Sequence, residues 1–162
     1  MSHYEKAGMT DEWYTPKYIF DALNVTFDTD AASPIDRSFC HVPANRFIVF
    51  DSLNTDWLGF TWLNPPFGGR NGLIPWLDKM NKHRNGIVLT PDRTSAPWWQ
   101  KAANQSDALL LIHSKVKFIM PNGDIGTKPG TGTTLFAYGT QAVRALLNAR
   151  DNKLGTLFTR IS

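Results

Sequence analysis

Short apolar runs punctuated by polar turns, with two longer stretches of helical spacing, set the pattern of this chain. Residues 1–14 read as a polar N-terminal arm. Thr15-Pro16 reads as an N-cap and first helical residue, opening a short helix through Leu23. Val25 to Asp30 reads as a strand that runs into a turn at Ala31-Ala32-Ser33-Pro34. Phe47 to Phe50 and Thr61 to Leu63 read as the second and third strands. Leu73, Trp76, Leu77 and Met80 fall on one face of a helix that reaches about Lys82. Gly86 to Leu89 is a further strand, and a helix begins near Ser95-Ala96-Pro97. Ala108 to Ile112 follows as a strand, while Lys117 to Met120 and Thr133 to Tyr138 are expected to pair with each other. A last helix, Gln141 to Ala149, leads to a closing strand around Thr156 to Thr159. Strands separated by helical segments predict an α/β sheet with parallel central strands.

The most informative segment is Phe60-Thr61-Trp62-Leu63 followed by Asn64-Pro65-Pro66-Phe67. A buried strand is stopped by two prolines that cannot donate to a ladder, and Pro65 holds Asn64 extended. The loop therefore presents an amide, a carbonyl and an aromatic face together. Asn64 Oδ1 and the Pro65 carbonyl can both accept from one NH2 group, and Phe67 can stack on the ring that carries it. In parallel sheets ligands bind outside the carboxyl ends of the strands, where both Asp28–Asp30 and this tetrapeptide fall. An ordinary strand-terminating turn is the bland alternative.

Length changes this picture little: 162 residues are one domain by the usual prior, 1–162, with core enough to fold. Six tryptophans and ten phenylalanines are many for this size; some serve the core, but several sit beside polar turn residues, where surfaces that stack on bases are expected. The net charge of +3 permits a polyanionic partner. Cys40 is the single cysteine, which excludes an internal disulfide, and with His41 it completes no tetrahedral metal shell. The start of the chain has no apolar leader-like segment, and no stretch approaches the ~18 residues of a membrane span. A cytoplasmic protein is expected.

Four further segments carry candidate chemistry. At Phe27-Asp28-Thr29-Asp30-Ala31-Ala32-Ser33, small residues let a backbone approach a ligand, and a carboxylate can accept from an ammonium or ribose hydroxyls. The spacing lacks a Gly-x-Gly phosphate cradle, which favours a nucleoside cofactor without phosphates. At Asp11-Glu12-Trp13-Tyr14-Thr15-Pro16, aromatic surface precedes a helix N-terminus with free N–H groups. Asp51, read as ending the second strand, can accept the amino group of an adenine, while Asp56 before Trp57 reads equally as a solvated residue. In Pro91-Asp92-Arg93-Thr94, followed by Trp98-Trp99, Arg93 can contact phosphate or a base edge. Lys115 and Lys117, with Lys128, suggest an edge that meets a nucleic-acid backbone.

Taken in order, Glu12-Trp13-Tyr14-Thr15-Pro16, Asp28 to Ser33, Asp51-Ser52-Leu53, Trp57, Trp62 to Phe67 and Pro91 to Thr94 with Trp98 resemble the phage-type, Dam-like DNA adenine N6-methyltransferases. The tetrapeptide is similar to that group's Asn/Asp-Pro-Pro-Tyr/Phe signature. The resemblance implies a Rossmann-like methyltransferase fold, with a mostly parallel sheet and helices on both faces. It implies S-adenosylmethionine as cofactor and adenine in double-stranded DNA as substrate and partner. Beside it, the residues themselves lead to the expectation of no metal and no membrane, and a monomer is the expected state. The resemblance also implies catalysis at Asn64, Pro65, Pro66 and Phe67. Cofactor contacts would come from Tyr14, Thr15, Pro16, Asp30, Ala31, Ala32 and Asp51, and DNA contacts from Arg93, Lys115 and Lys117. The usual glycine-rich cofactor loop is replaced by Ala31-Ala32-Ser33, and no separate target-recognition domain is visible. The same motif also suits a glutamine-directed protein methyltransferase or an RNA or cytosine amino-methyltransferase. A catalytically silent nucleic-acid-binding module of the same fold is the reading from another class.

Overall fold

The computed structural model describes residues 13–66, 72–126 and 130–161. Seven strands form one sheet: β1 (Phe27–Asp30), β2 (Ala44–Phe47), β3 (Thr61–Leu63), β4 (Gly86–Pro91), β5 (Ala108–Ile112), β6 (Thr133–Tyr138) and β7 (Gly155–Thr159). Their order across the sheet is β2-β1-β3-β4-β6-β5-β7. Helices α1 (Lys17–Leu23), α2 (Ile74–His83), α3 (Pro97–Gln105) and α4 (Thr140–Asp151) cover it.

Alternation along the strands decides which helix lies on which face. Trp62, Ile87 and Leu89 point to one side and pack with Ile19, Phe20 and Leu23 of α1 and Ala142, Ala145 and Leu146 of α4. Leu63, Val88 and Phe136 point to the other, against Leu77 and Met80 of α2 and Trp99 and Ala102 of α3. Ile87, Val88 and Leu89 are thus buried on both faces, as an unbroken apolar run in a central strand requires.

The sheet is mixed, which corrects the expectation of a mostly parallel one. β2, β1, β3 and β4 pair in parallel. The β4–β6, β5–β6 and β5–β7 pairings are antiparallel, and they run longer. Two antiparallel steps return β5 to the direction of β4, so the carboxyl ends of β1, β3, β4 and β5 share one edge. The chain moves from β1 outward to β2 and then back to β3 on the other side of β1. This reversal opens a crevice between the ends of β1 and β3.

Three local expectations also change. The second strand lies at Ala44–Phe47 and not at Phe47–Phe50, because Ile48 turns inward while Val49 and Phe50 stay exposed in the following loop. β6 inserts between β4 and β5, so it does not pair with Lys117–Met120. Ile119 instead bridges to Tyr14 and to Ile125. Helix α1 begins at Lys17, with Pro16 at its N-cap position and no side-chain cap from Thr15. None of the helices among the described residues is long and apolar enough to cross a membrane.

Candidate functional site

A cavity of about 410 Å³ opens at the reversal point, within the ~300–1,000 Å³ typical of small-molecule sites. Its walls come from the loops after β1, β2 and β3 and from the N-terminal segment. Tyr14, Thr15, Asp30, Ala31, Ala32, Asp51, Asn64 and Pro66 all line it. Pro65 is buried just outside the lining, and Pro16 stands outside it as well. Phe67, Asp11, Glu12 and Lys128 lie outside the described residues.

Asp30 closes β1 with a side chain that is almost wholly buried. Its Oδ1 accepts from the Ala32 N–H at 3.3 Å. Among the described residues, its Oδ2 has no hydrogen-bond partner. Burial pushes the carboxyl up to about 6, against a smaller downward pull from the Ala32 N–H and from the Arg37 charge. Arg37 donates to Ser33 Oγ at 2.8 Å and lays its guanidinium 3.2 Å from the centre of the Phe47 ring. Asp30 lines the cavity, and a buried carboxylate with an unspent acceptor there suits a cationic or hydroxyl-bearing ligand.

The loop after β2 runs beside the loop after β1, since Ile48 N–H donates to the Asp30 carbonyl and Ser33 N–H to the Ile48 carbonyl. Asp51 does not end a strand as expected. It stands at the head of a single 3₁₀ turn, Ser52–Asn54, in the left-handed region at φ 53°. Its carboxylate accepts from Asn54 Nδ2 at 2.7 Å. Lys79 of α2 fastens this turn by donating to the carbonyls of Ser52, Leu53 and Thr55. Trp57 is a core residue whose Nε1 donates to Ser52.

Asn64 leaves β3 half-buried, and its Nδ2 donates to the Trp13 carbonyl at 3.1 Å and to Thr15 Oγ1 at 3.3 Å. The amide is thereby oriented with Oδ1 as its acceptor end. The N-terminal segment that does this is itself pinned, because Tyr14 and Ile119 exchange backbone hydrogen bonds of 2.8 and 2.9 Å.

Arg93 follows β4, and Lys115 and Lys117 follow β5, all exposed on the cavity's edge of the sheet but outside its lining. The neighbouring Asp92 accepts from Thr134 Oγ1, and Trp99 Nε1 donates to the same hydroxyl, so both serve the fold. Sequence reasoning missed Arg37 and set aside Cys40 and His41, which line the cavity. Their signal was weak because the β1–β2 connection has no periodicity. Burial raises the Cys40 thiol. Among the described residues, no group of three or more His, Cys, Asp or Glu side chains is placed to hold a metal ion.

A family model described as DNA N-6-adenine-methyltransferase (Dam) matches residues 2–136. The match takes in every wall of the cavity and ends within β6. Comparison with curated proteins returns no match, and neither does comparison with solved structures.

Proposed function

The chain belongs to the Dam family of DNA N-6-adenine-methyltransferases, and from that premise we propose that it methylates the exocyclic N6 of adenine in duplex DNA, using S-adenosylmethionine held in the β1–β3 cavity. The observation that carries this reading is the convergence on one cavity of nucleoside size of Asn64 and the Asp30 carboxylate, whose Oδ2 has no hydrogen-bond partner among the described residues. We read the parallel half of the sheet as Rossmann-like and residues 1–162 as one methyltransferase domain.

The residues fit the cofactor's chemistry. Asp30 offers a desolvated acceptor to its ammonium or ribose hydroxyls, Ala31 and Ala32 let the backbone approach, and Asp51, in the same lining, is the acceptor proposed for its adenine. When bound, S-adenosylmethionine supplies a methyl group on a positively charged sulfur. The chain's own task is orientation. N6 of adenine is a poor nucleophile because its lone pair is delocalised into the ring. Hydrogen bonds from N6–H2 to Asn64 Oδ1 and the Pro65 carbonyl favour a more pyramidal nitrogen with its lone pair aimed at the methyl group. Asn64 is no base, so the proton leaves to water after transfer.

The target base must first leave the duplex, at a cost of a few kcal/mol. Stacking on an aromatic ring is worth ~1–3 kcal/mol per base, and Phe67 is the residue proposed for it. Arg93, Lys115 and Lys117 are proposed to meet the DNA backbone along the same edge.

The test is to incubate the protein with labelled S-adenosylmethionine and, in separate reactions, duplex DNA, RNA and a glutamine-containing protein. Digestion should yield N6-methyladenine from DNA. Label in cytosine, RNA or glutamine would move the substrate to the corresponding rival, and label in none would leave a nucleic-acid-binding module.

A further inference from the structure

Resting on that reading of Asn64, we propose that Thr15 and the backbone carbonyl of Trp13 are positioning groups for its amide. They hold Nδ2 inward and turn Oδ1 toward the substrate, so the site requires asparagine and rejects aspartate at position 64. The wider signature admits both residues; the surroundings in this chain do not.

The argument starts from donor and acceptor identity. A peptide carbonyl only accepts, so whichever Asn64 atom faces the Trp13 oxygen at 3.1 Å must carry hydrogen. Nδ2 does, and its second hydrogen serves Thr15 Oγ1 at 3.3 Å. Rotating the amide by half a turn would set Oδ1 against the Trp13 carbonyl oxygen and lose that bond, and Thr15 would have to turn its hydroxyl round to donate. Thr15 is buried, so its hydroxyl has little water to exchange for this partner.

The Trp13 carbonyl does not simply follow Asn64. Next to it, Tyr14 is bonded in both directions to Ile119. Ile119 belongs to a turn closed by Gly126 N–H on the Phe118 carbonyl and Met120 N–H on the Asp124 carbonyl. Gly126 abuts the Trp13 ring so closely that an added Cβ would stand 2.9 Å from it. The acceptor, 51 positions before the residue it orients, is therefore held in place by this hydrogen-bonded turn.

A carboxylate at position 64 would face this fixed oxygen and would keep its proton to relieve the repulsion. Its folded-state pKa then lies above the unfolded value. Such a group binds more protons folded than unfolded, so stability falls as pH rises.

Two measurements on the full chain decide the matter. Thermal unfolding of wild type and Asn64→Asp, without cofactor, is followed from about pH 5 to about pH 8, across the range where such a carboxyl titrates. The gap between them should widen as pH rises, whereas a constant gap overturns the proposal. Thr15→Val should slow single-turnover methylation about tenfold, the loss of one hydrogen bond's worth of orientation. Its affinity for S-adenosylhomocysteine should stay within about twofold, and Thr15→Ser should recover most of the rate. Weakened cofactor affinity with an unchanged rate at saturation would make Thr15 a cofactor contact and overturn the assignment. If Asn64→Asp folds at no pH, the Thr15 pair decides alone. If wild type transfers no methyl group, the Dam-type reading fails, while the melting comparison still reports on the amide's orientation.

Discussion

Arg37 Nη1 stands 3.8 Å from Asp30 Oδ2, near enough to act through charge and too far for a hydrogen bond. The guanidinium is engaged instead by Ser33 and the Phe47 ring. Asp30 consequently keeps a buried carboxyl oxygen in reserve, and burial outweighs Arg37 in setting its protonation.

Cofactor affinity should depend on that protonation. A cationic or hydroxyl-bearing ligand binds the ionised carboxylate, which is lost as pH falls through about 6. Calorimetry with S-adenosylhomocysteine should show affinity about tenfold weaker at about pH 5 than at neutral pH. Asp30→Asn should bind weakly at both. Equal wild-type affinities at the two pH values would take Asp30 out of the cofactor site.

The same group should cost the protein stability. Its folded pKa is raised from 3.8 to about 6, so the folded state holds the proton more tightly than the unfolded chain. The stability this confers is present below about pH 4 and is lost as pH rises through about 6. Asp30→Asn lacks this dependence. Relative to wild type it should gain up to roughly 3 kcal/mol across that window, and denaturant titrations at several pH values read the gain directly. A pH-independent difference would mean that Asp30 is ionised at no cost, contrary to its burial.

Much of this site is legible in the sequence. Thr61–Leu63 is identifiable because prolines stop it and all three residues are buried. Asp30 and Asn64 meet because parallel strands bring their carboxyl ends to one edge, which follows from alternating strands and helices. β2 is misplaced for the opposite reason. It is an edge strand with mostly exposed side chains, so it leaves no apolar signal, while the apolar run Phe47–Phe50 belongs largely to the loop beyond it. The antiparallel half depends on β6 slipping between β4 and β5, a long-range pairing to which local periodicity is blind. The hydrogen bond from Asn64 to Thr15 leaves no sequence signal, because Thr15 stands just before a helix, where a hydroxyl reads as a cap.

DNA binding should be electrostatic in part. Arg93 is exposed on the cavity's edge of the sheet, with no place in the cavity lining. Arg93→Ala should weaken duplex binding and lower the slope of log affinity against log salt by about 0.9, one phosphate contact. Affinity for S-adenosylhomocysteine should be unchanged. A loss of cofactor affinity with intact DNA binding would assign Arg93 to the other site.

The central claim is that Asn64 orients the amino group that is methylated. Single-turnover transfer of labelled methyl from S-adenosylmethionine to adenine in one duplex, compared for wild type and Asn64→Ala, tests it most directly. The account predicts a rate at least ~10²-fold lower in the variant, the scale for losing a preorganised hydrogen-bond group, with S-adenosylhomocysteine affinity little changed. Methylation of adenine by Asn64→Ala at the wild-type rate would contradict it and reduce Asn64-Pro65-Pro66 to a strand-ending turn.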